Sequence, residues 1–362
     1  MSTQDTPLGR ELKDLIAAEG PIPVSRYMAL CLGHPRHGYY LTREPFGAAG
    51  DFTTAPEISQ VFGELIGAWA AATWESMGRP SRVRLVELGP GRGTLMADMT
   101  RTARGLPGYA DALDIHLVET SPRLREHQRR TLAAAGRAAS WHEDLATVPG
   151  GPTLLVANEF LDALPVRQFV MTERGWRERV VGLDAAGMLT FGLARDPVPP
   201  ALILESLREA RPGAVFELCP AFETLAGVLA GRAADAPLAA LFIDYGHLAP
   251  AHGETLQAVK AHAFTDPLAE PGLADLTAHV DFSAFARCAA AAGLAVAPAV
   301  TQRDLLFRLG LAARAEALAR ANPGAIDTIR AGIERLVDPS PAGMGALFKA
   351  VLVHSPHLDP VW

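Results

Sequence analysis

The sequence predicts an α/β fold in which a parallel sheet is covered by helices on both faces. The first observation is that short apolar β-type runs alternate with helical segments from residue 82 onward. The second is a strand that runs into three closely spaced glycines and then into a helix, at residues 85–95. The third is the composition of the 362 residues, 49% hydrophobic and 20% charged, which is sufficient for a large core.

The strands of the predicted sheet are short and mostly apolar. They are expected at residues 83–88, 113–119, 138–141, 153–157, 238–245, 293–301 and 346–354. Helices are expected between them, at residues 94–104, 122–135, 220–234 and 281–292. The second of these helices has Ser121 as its cap and Pro122 at its first position.

The other segments predict additions to this core. Helices are expected at residues 57–77, 200–211 and 303–337, and two more within residues 8–32 on either side of Gly20. Residues 167–172 and 178–183 predict an antiparallel pair of strands. The sequence therefore predicts a helical N-terminal segment at residues 1–80 and an α/β core at residues 81–362. Two insertions in that core are expected, at about residues 166–235 and about residues 303–342.

Charge and cysteine content argue against several classes of protein. The 33 Lys and Arg residues against 40 Asp and Glu give a net charge of −7, which disfavours a nucleic-acid partner and tolerates cationic substrates. Cys31, Cys219 and Cys288 lie far apart without a CxxC motif, as is typical of a reducing cytoplasm. His34 and His37 resemble a metal-binding pair only superficially, and since no acidic or cysteine ligands are identified for them, no metal is expected. Without a secretory signal or a long apolar segment, we expect a soluble cytoplasmic protein that is not stably inserted in a membrane.

The most informative stretch is the glycine loop, which follows Glu87 at the end of the first strand of the core. Gly89, Gly91 and Gly93 allow the backbone to approach a ligand, and the next helix presents free N–H groups. A glycine-rich turn alone is common, but between a strand and a helix it indicates nucleoside binding. A dinucleotide fingerprint would need glycine or alanine at position 94, where this chain has threonine. This departure favours S-adenosylmethionine over a nicotinamide, because a sulfonium cofactor has no pyrophosphate to cradle.

Polar residues also follow the next strands, whose carboxyl ends open onto one crevice of a parallel sheet. Glu119 ends the second strand, where it can bind a ribose diol. Asp144, followed by Leu145, comes after the third strand and can accept a hydrogen bond from an adenine amino group. Asn158 ends the fourth strand. These residues, together with the glycine loop, are the predicted cofactor site.

Five longer motifs resemble those of one family, the MidA-type methyltransferases, which are bacterial relatives of the mitochondrial complex I assembly arginine methyltransferase. They lie at residues 50–64 (GDFTTAPEISQVFGE), 87–95 (ELGPGRGTL), 158–165 (NEFLDALP), 244–247 (DYGH) and 275–282 (DLTAHVDF). The resemblance implies a class I methyltransferase fold, a Rossmann-like sheet of seven strands that is mostly parallel, with its last strand antiparallel. It also implies S-adenosylmethionine as methyl donor and S-adenosylhomocysteine as product.

The resemblance further implies a protein-arginine N-methyltransferase that symmetrically dimethylates a core subunit of respiratory complex I. The paired-glutamate hairpin and the Thr-His-Trp motif of the better-known arginine methyltransferases are not found in this sequence. Two alternatives therefore remain: a small-molecule O- or N-methyltransferase, and a non-catalytic complex I assembly factor. The helices of residues 303–337 form either a homodimer face or a cover for the sheet.

Methyl transfer to an arginine requires groups that orient the guanidinium and accept a proton. Glu159 and Asp162 follow the fourth strand and are the candidate catalytic carboxylates, and Asn158 can orient the nucleophile or the donor. The alternative is that Glu159 binds backbone and Asp162 caps a turn. Tyr245 and His247 follow the fifth strand and are expected on the substrate side.

The segment just before the helix of residues 57–77 is expected to fold over the cofactor. Thr54 and Glu57 would contact the cofactor, and Phe52 or Phe62 would exclude water on the substrate side. The alternative is that residues 51–54 only cap the helix. The helical N-terminal segment of residues 1–80 as a whole is expected to cover the cofactor site.

Overall fold

The computed structural model describes residues 4–43 and 53–362. Its strands are β1 (Ile22–Pro23), β2 (Val83–Leu88), β3 (Leu113–Val118), β4 (Ser140–His142), β5 (Thr153–Asn158), β6 (Arg167–Thr172), β7 (Gly175–Leu183), β8 (Leu189–Pro197), β9 (Val215–Leu218), β10 (Leu238–His247), β11 (Gln257–Lys260), β12 (Ala263–Thr265), β13 (Asp275–Thr277), β14 (Val280–Asp281), β15 (Ala295–Val296), β16 (Val300–Thr301) and β17 (Phe348–His354).

The α-helices are α1 (Pro7–Glu19), α2 (Val24–Gly33), α3 (Tyr39–Thr42), α4 (Ala55–Ile58), α5 (Gln60–Ser76), α6 (Thr94–Thr102), α7 (Tyr109–Ala112), α8 (Pro122–Ala134), α9 (Ala221–Asp235), α10 (Phe282–Ala291), α11 (Gln302–Arg308), α12 (Leu311–Ala321), α13 (Ile326–Val337) and α14 (Met344–Leu347). No helix in the described ranges is long and apolar enough to cross a membrane. The chain divides into two compact units. The first comprises the described part of residues 1–52 with 162–221 and 249–279, and the second comprises 53–161, 222–248 and 280–362.

The second unit contains the predicted sheet. Its strands follow the order β15-β17-β10-β5-β2-β3-β4, and the short strands β14 and β16 pair with β10 and β17. The run from β10 to β4 is parallel, and β17 is antiparallel to both β10 and β15. The prediction of seven strands, mostly parallel with the last antiparallel, is confirmed for this main path.

The apolar pattern of the central strands explains their position in the sheet. All six residues of β5 are buried, as are the first seven of β10, because helices cover both faces of a parallel sheet. Helix α5 contributes a fully or nearly fully buried stripe that includes Phe62 and Trp69. Phe62 is therefore a core residue of α5, which corrects its expected role in excluding water from the substrate side.

The predicted helix at residues 57–77 is in fact two helices. Helix α4 ends at Ile58, and Ser59 caps α5 by accepting a hydrogen bond from the Val61 N–H at 3.3 Å. The side chain of Thr54 makes no capping hydrogen bond to α4 in this part of the described chain. The interpretation of the segment as a simple helix cap is therefore not supported at Thr54.

The first unit contains two antiparallel sheets, β1-β7-β6-β9 with β8 on β7, and β12-β11-β13. The expected strand pair of residues 167–172 and 178–183 is confirmed as β6 and β7, while β8 and β9 were not predicted. The predicted helix at residues 200–211 is wrong, because this segment forms two 3-10 turns. Its apolar side chains Ile203 and Leu207 instead pack into a small cluster with Phe169, Trp176 and Phe216.

The C-terminal insertion is helical, as expected, and consists of α11, α12 and α13. The helices are separated at Gly310, whose φ of +91° suits glycine, and at Pro323, which begins a 3-10 turn. Gln302 at the start of α11 is fully buried and donates to the Leu336 carbonyl of α13 at 2.8 Å. This buried amide holds the first and last of the three helices together.

Candidate active site

The carboxyl ends of β2, β3, β4 and β5 lie side by side at one edge of the sheet. Leu88 of β2 pairs with Val118 of β3 and with Ala157 of β5, and Val118 pairs with His142 of β4. The residues that follow these positions therefore emerge together, as expected for a ligand crevice of an α/β sheet. Gly89, Glu119 and Asn158 follow them directly, and Asp144 is the second residue after His142.

The glycine loop has a backbone that favours glycine at each of its three glycines. The φ angles are +59° at Gly89, +50° at Gly91 and +80° at Gly93. A Cβ added at Gly89 would lie 3.0 Å from the Phe160 ring. Gly93 also serves as the N-cap of α6 and, having no side chain, makes no side-chain cap hydrogen bond to it.

Two buried polar atoms beside this loop have no hydrogen-bond partner among the described residues: Oε2 of Glu87 and Oδ1 of Asn158. Burial raises the pKa of the Glu87 carboxyl to about 8; the Met96 N–H opposes this and the charge of Glu119 adds to it. Unpartnered buried acceptors are costly unless a ligand donates to them. A ligand with a cationic amino group, as S-adenosylmethionine has, fits these two acceptors.

Glu119 is held at the end of β3 by three donors, one of which is the backbone N–H of Thr120. Its Oε1 accepts the Ser121 N–H at 2.8 Å and its Oε2 accepts the Gln128 amide at 3.2 Å. Burial raises the pKa of this carboxyl, while the hydrogen bonds from Ser121 and Gln128 oppose the rise. Ser121 also caps α8, with Pro122 at the first helical position, as the sequence predicts.

The turn after β5 has a strained backbone. Glu159 has a φ of +53°, which is unusual for a residue with a side chain and points to a functional constraint. Its Oε1 accepts hydrogen bonds from the Ala55 N–H and the Asn158 amide, both at 3.0 Å. Glu159 therefore binds a backbone N–H group, which is the alternative role that the sequence left open for it. This bond places α4 beside the end of β5.

Helix α4 is also tied to the glycine loop. Oε1 of Glu57 accepts a hydrogen bond from the Thr94 hydroxyl at 2.5 Å, and its Oε2 lies 3.6 Å from Nη1 of Arg92. Together with the Ala55–Glu159 bond, these contacts connect the ends of β2 and β5 through residues 53–58. Thr54 and Glu57 thus lie at the predicted crevice.

The other predicted residues are placed as follows. Asp144 is exposed and its Oδ1 accepts the Ala146 N–H at 2.8 Å, while Leu145 is buried. At the end of β10, Tyr245 packs edge-to-face on Phe348. His247 of β10 pairs with Asp281 of β14.

Two further predicted residues, Asp162 and Phe52, lie outside the second unit. Asp162 is buried in the first unit, where its carbonyl accepts the Ala278 N–H at 3.0 Å. Burial is the main cause that raises the pKa of Tyr40, and the charge of Asp162 adds to this rise. Phe52 lies outside the described residues.

Two buried side chains at the crevice have no role in the sequence prediction. Asp244 is fully buried, and its carboxylate accepts the N–H groups of Phe160, Leu161 and Tyr245 at 2.8–3.0 Å. The acidic end of the apolar run at 238–245 was the available signal for it. Gln128 is fully buried in α8, on the face that also carries Leu124 and Leu132, and this i, i+4 spacing was its only signal.

His34 and His37 both contact Glu11. Their Nε2 atoms lie 3.2 and 3.4 Å from the two carboxylate oxygens of Glu11, and Nδ1 of His34 accepts the N–H groups of Arg36 and His37. Across 4–43 and 53–362, no group of three or more His, Cys, Asp or Glu residues is arranged to hold a metal ion.

Comparisons with known proteins agree with this geometry. A family of S-adenosyl-L-methionine-dependent methyltransferases matches residues 65–300. The mitochondrial protein arginine methyltransferase NDUFAF7 of Mus musculus is 39% identical over 379 residues, which cover 98% of this chain and 86% of that protein. Its Homo sapiens counterpart is 36% identical over 375 residues, which cover 96% and 84%.

The fold also has a solved relative, a COG1565 superfamily member from Burkholderia thailandensis bound to S-adenosyl-homocysteine. It has a TM-score of 0.85 and 29% identity, and the match covers 99% of this chain and 93% of that one. The strand order, the glycine loop and the unpartnered buried acceptors agree with S-adenosylmethionine as cofactor. The chain belongs to this family of S-adenosyl-L-methionine-dependent methyltransferases.

Proposed function

We propose that the chain is a protein arginine N-methyltransferase that symmetrically dimethylates a subunit of respiratory complex I during assembly. The observation that carries this proposal is the 36–39% identity to relatives named protein arginine methyltransferases over 96–98% of the chain. The complex I subunit and the symmetry of the product follow from the family resemblance of the five sequence motifs.

When bound, S-adenosylmethionine supplies a methyl group on a sulfonium sulfur that is activated for in-line displacement. The chain holds this cofactor by its glycine loop, by carboxylates at the ends of β2 and β3, and by α4. Leu145 adds an apolar contact at the adenine side. The residues proposed to hold it are Thr54, Glu57, Glu87, Gly89, Gly91, Gly93, Glu119, Asp144, Leu145 and Asn158.

A substrate arginine is positively charged at neutral pH, so the chain must orient a guanidinium and accept its proton. Glu159 is proposed for the first task, because its bond to the Ala55 N–H fixes its carboxylate. Oδ1 of Asn158 is a buried acceptor that a guanidinium N–H can satisfy. Asp162 remains a proposed catalytic carboxylate, with Tyr245 and His247 proposed on the substrate side.

The test is transfer of a labelled methyl group from S-adenosylmethionine to extracts of cells in which the gene has been deleted. We expect one labelled polypeptide in the complex I fraction, and acid hydrolysis of that polypeptide should release symmetric dimethylarginine. The Gly91→Val variant is the control and should transfer no label.

Label found only in small molecules would contradict the proposal and favour a small-molecule methyltransferase. Absence of transfer by a protein that still binds S-adenosylhomocysteine would also contradict it, and would favour a non-catalytic assembly factor.

The raised pKa of Glu87 predicts that ligand binding releases a proton. With its pKa at about 8, the free carboxyl is mostly protonated at pH 7, and a cationic ligand favours the ionised form. We expect binding of S-adenosylhomocysteine at pH 7 to release close to one proton, and the affinity to rise from pH 6 to pH 8. Calorimetry in buffers of different ionisation enthalpy measures this release.

The Glu87→Gln variant provides the control, since it has no carboxyl at this position. It should bind with a heat that depends much less on the buffer. A wild-type heat that is identical in all buffers would show that Glu87 is not the group that meets the ligand's charge.

A further inference from the structure

Gln128 connects three parts of the cofactor crevice. Its Nε2 donates to the Gly91 carbonyl at 2.9 Å and to Oε2 of Glu119 at 3.2 Å, and its Oε1 accepts from Nε1 of Trp141 at 2.8 Å. The side chain is fully buried. One amide thus joins the glycine loop, the end of β3 and strand β4.

The orientation of this amide follows from its partners. An indole N–H only donates, so Trp141 must face the amide oxygen of Gln128. The NH₂ group must then face the two acceptors, Gly91 O and the Glu119 carboxylate, and both of its hydrogens are used. In the flipped amide, the NH₂ group would face the Trp141 N–H and the oxygen would face the two acceptors. Only one orientation of the amide is therefore stable.

The Gln128 amide also determines which part of the Glu119 carboxylate is available to a ligand. A carboxylate has about four acceptor positions. The Ser121 N–H, the Thr120 N–H and the Gln128 amide use part of this capacity. The remaining acceptor capacity is available to ribose hydroxyls, and charge-assisted bonds of this kind are strong.

Gln128 also packs against the glycine loop itself. A Cβ added at Gly93 would lie 3.4 Å from Cα and 3.5 Å from Cγ of Gln128. A change in the position of Gln128 would therefore move both the loop and the carboxylate.

We propose that Gln128 is a positioning residue for cofactor recognition, which holds the Glu119 carboxylate in place for the two ribose hydroxyls and couples it to the Gly91 peptide. This proposal rests on the cofactor and does not depend on which substrate is methylated. It predicts that loss of the amide weakens recognition of the ribose selectively.

The test compares S-adenosylhomocysteine with its 2′,3′-dideoxyribose analogue in calorimetric titrations of Gln128→Met. We expect the affinity for S-adenosylhomocysteine to fall by about 10- to 100-fold, because a hydrogen bond to a charged group is lost. The affinity for the analogue, which has no diol, should change by less than about threefold. Equal losses for both ligands, or no loss for either, would overturn the proposal.

Gln302→Met is the matched control, because Gln302 is also a fully buried glutamine in the same unit and donates to a backbone carbonyl. It should lower the melting temperature without changing either affinity. If Gln128→Met does not fold, Trp141→Phe removes the indole N–H that orients the amide and keeps an aromatic ring at this position. That variant should lose several-fold affinity for S-adenosylhomocysteine alone, and an equal loss for the analogue would refute the proposal.

Gln128→Glu provides a second readout that a purely structural role would not change. It keeps the shape of the side chain but places a carboxyl beside Glu119 and the Gly91 carbonyl. Its affinity for S-adenosylhomocysteine, relative to that of the wild type at the same pH, should recover as the pH is lowered and the repulsion disappears. A pH profile parallel to that of the wild type would contradict the proposed contact.

Discussion

The Gly91→Val variant is expected to bind S-adenosylhomocysteine at least about 100-fold more weakly than the wild type, as measured by calorimetry. Gly91 has a φ of +50°, a conformation in which a β-branched residue is strained. Its carbonyl accepts the Gln128 amide, so the peptide cannot rotate to relieve that strain without breaking a buried hydrogen bond. The loop would therefore move away from the position that a ligand requires.

The matched control is Gly136→Val, at a glycine with a φ of +72° and open space around it, just after α8. The two valines impose similar backbone strain, so both should lower the free energy of unfolding. Only Gly91→Val should lose affinity. Binding by Gly91→Val within about threefold of the wild type would contradict the role of the loop.

Asp244→Asn is expected to lower the free energy of unfolding by about 2–4 kcal/mol, since a buried charge-assisted network is broken. The carboxylate accepts three backbone N–H groups and is fully buried. An asparagine can accept from only one side, so its NH₂ group must face at least one of these N–H donors. Urea denaturation followed by circular dichroism measures the change.

Asp184→Asn is the control for this substitution. Asp184 also accepts two backbone N–H groups, from Ala186 and Met188, but it lies in an exposed turn. Its replacement should cost less than about 0.5 kcal/mol, because asparagine and aspartate serve such turns about equally well. Equal losses in the two variants would mean that Asp244 does not support the turn after β5.

The sequence predicts the sheet well where its strands are continuous apolar runs. The runs at 83–88, 153–157 and 238–245 correspond to β2, β5 and β10, because strands that are buried on both faces carry an unambiguous pattern. The exposed strand β8 lacks that pattern: most of its nine residues are exposed or partly exposed, and it was not predicted. The packing of Ile203 and Leu207 into the cluster with Phe169, Trp176 and Phe216 outweighs the helical pattern at 200–211.

The candidate site was predictable to the extent that it depends on strand ends. Glu87 and Glu119 follow from the alternation of strands and helices, and the structure brings both to the same edge of the sheet. The left-handed turn at Glu159 could not be predicted from the local sequence. The carboxylate of Asp244 accepts the next two N–H groups, those of Phe160 and Leu161, and it lies 84 and 83 residues away from them in the sequence. Gln128 lies in a polar helix, where a buried amide has no sequence signature of its own.

A crystal structure of the protein with S-adenosylhomocysteine tests the assigned cofactor site most directly. We expect the ligand at the carboxyl edge of β2 and β3, with both ribose hydroxyls within about 3.0 Å of the Glu119 carboxylate. We also expect the ligand's amino group to donate to Glu87 or to Oδ1 of Asn158, the acceptors without partners among the described residues. A ligand that binds elsewhere, or that leaves Glu119 without a ribose contact, would contradict this assignment.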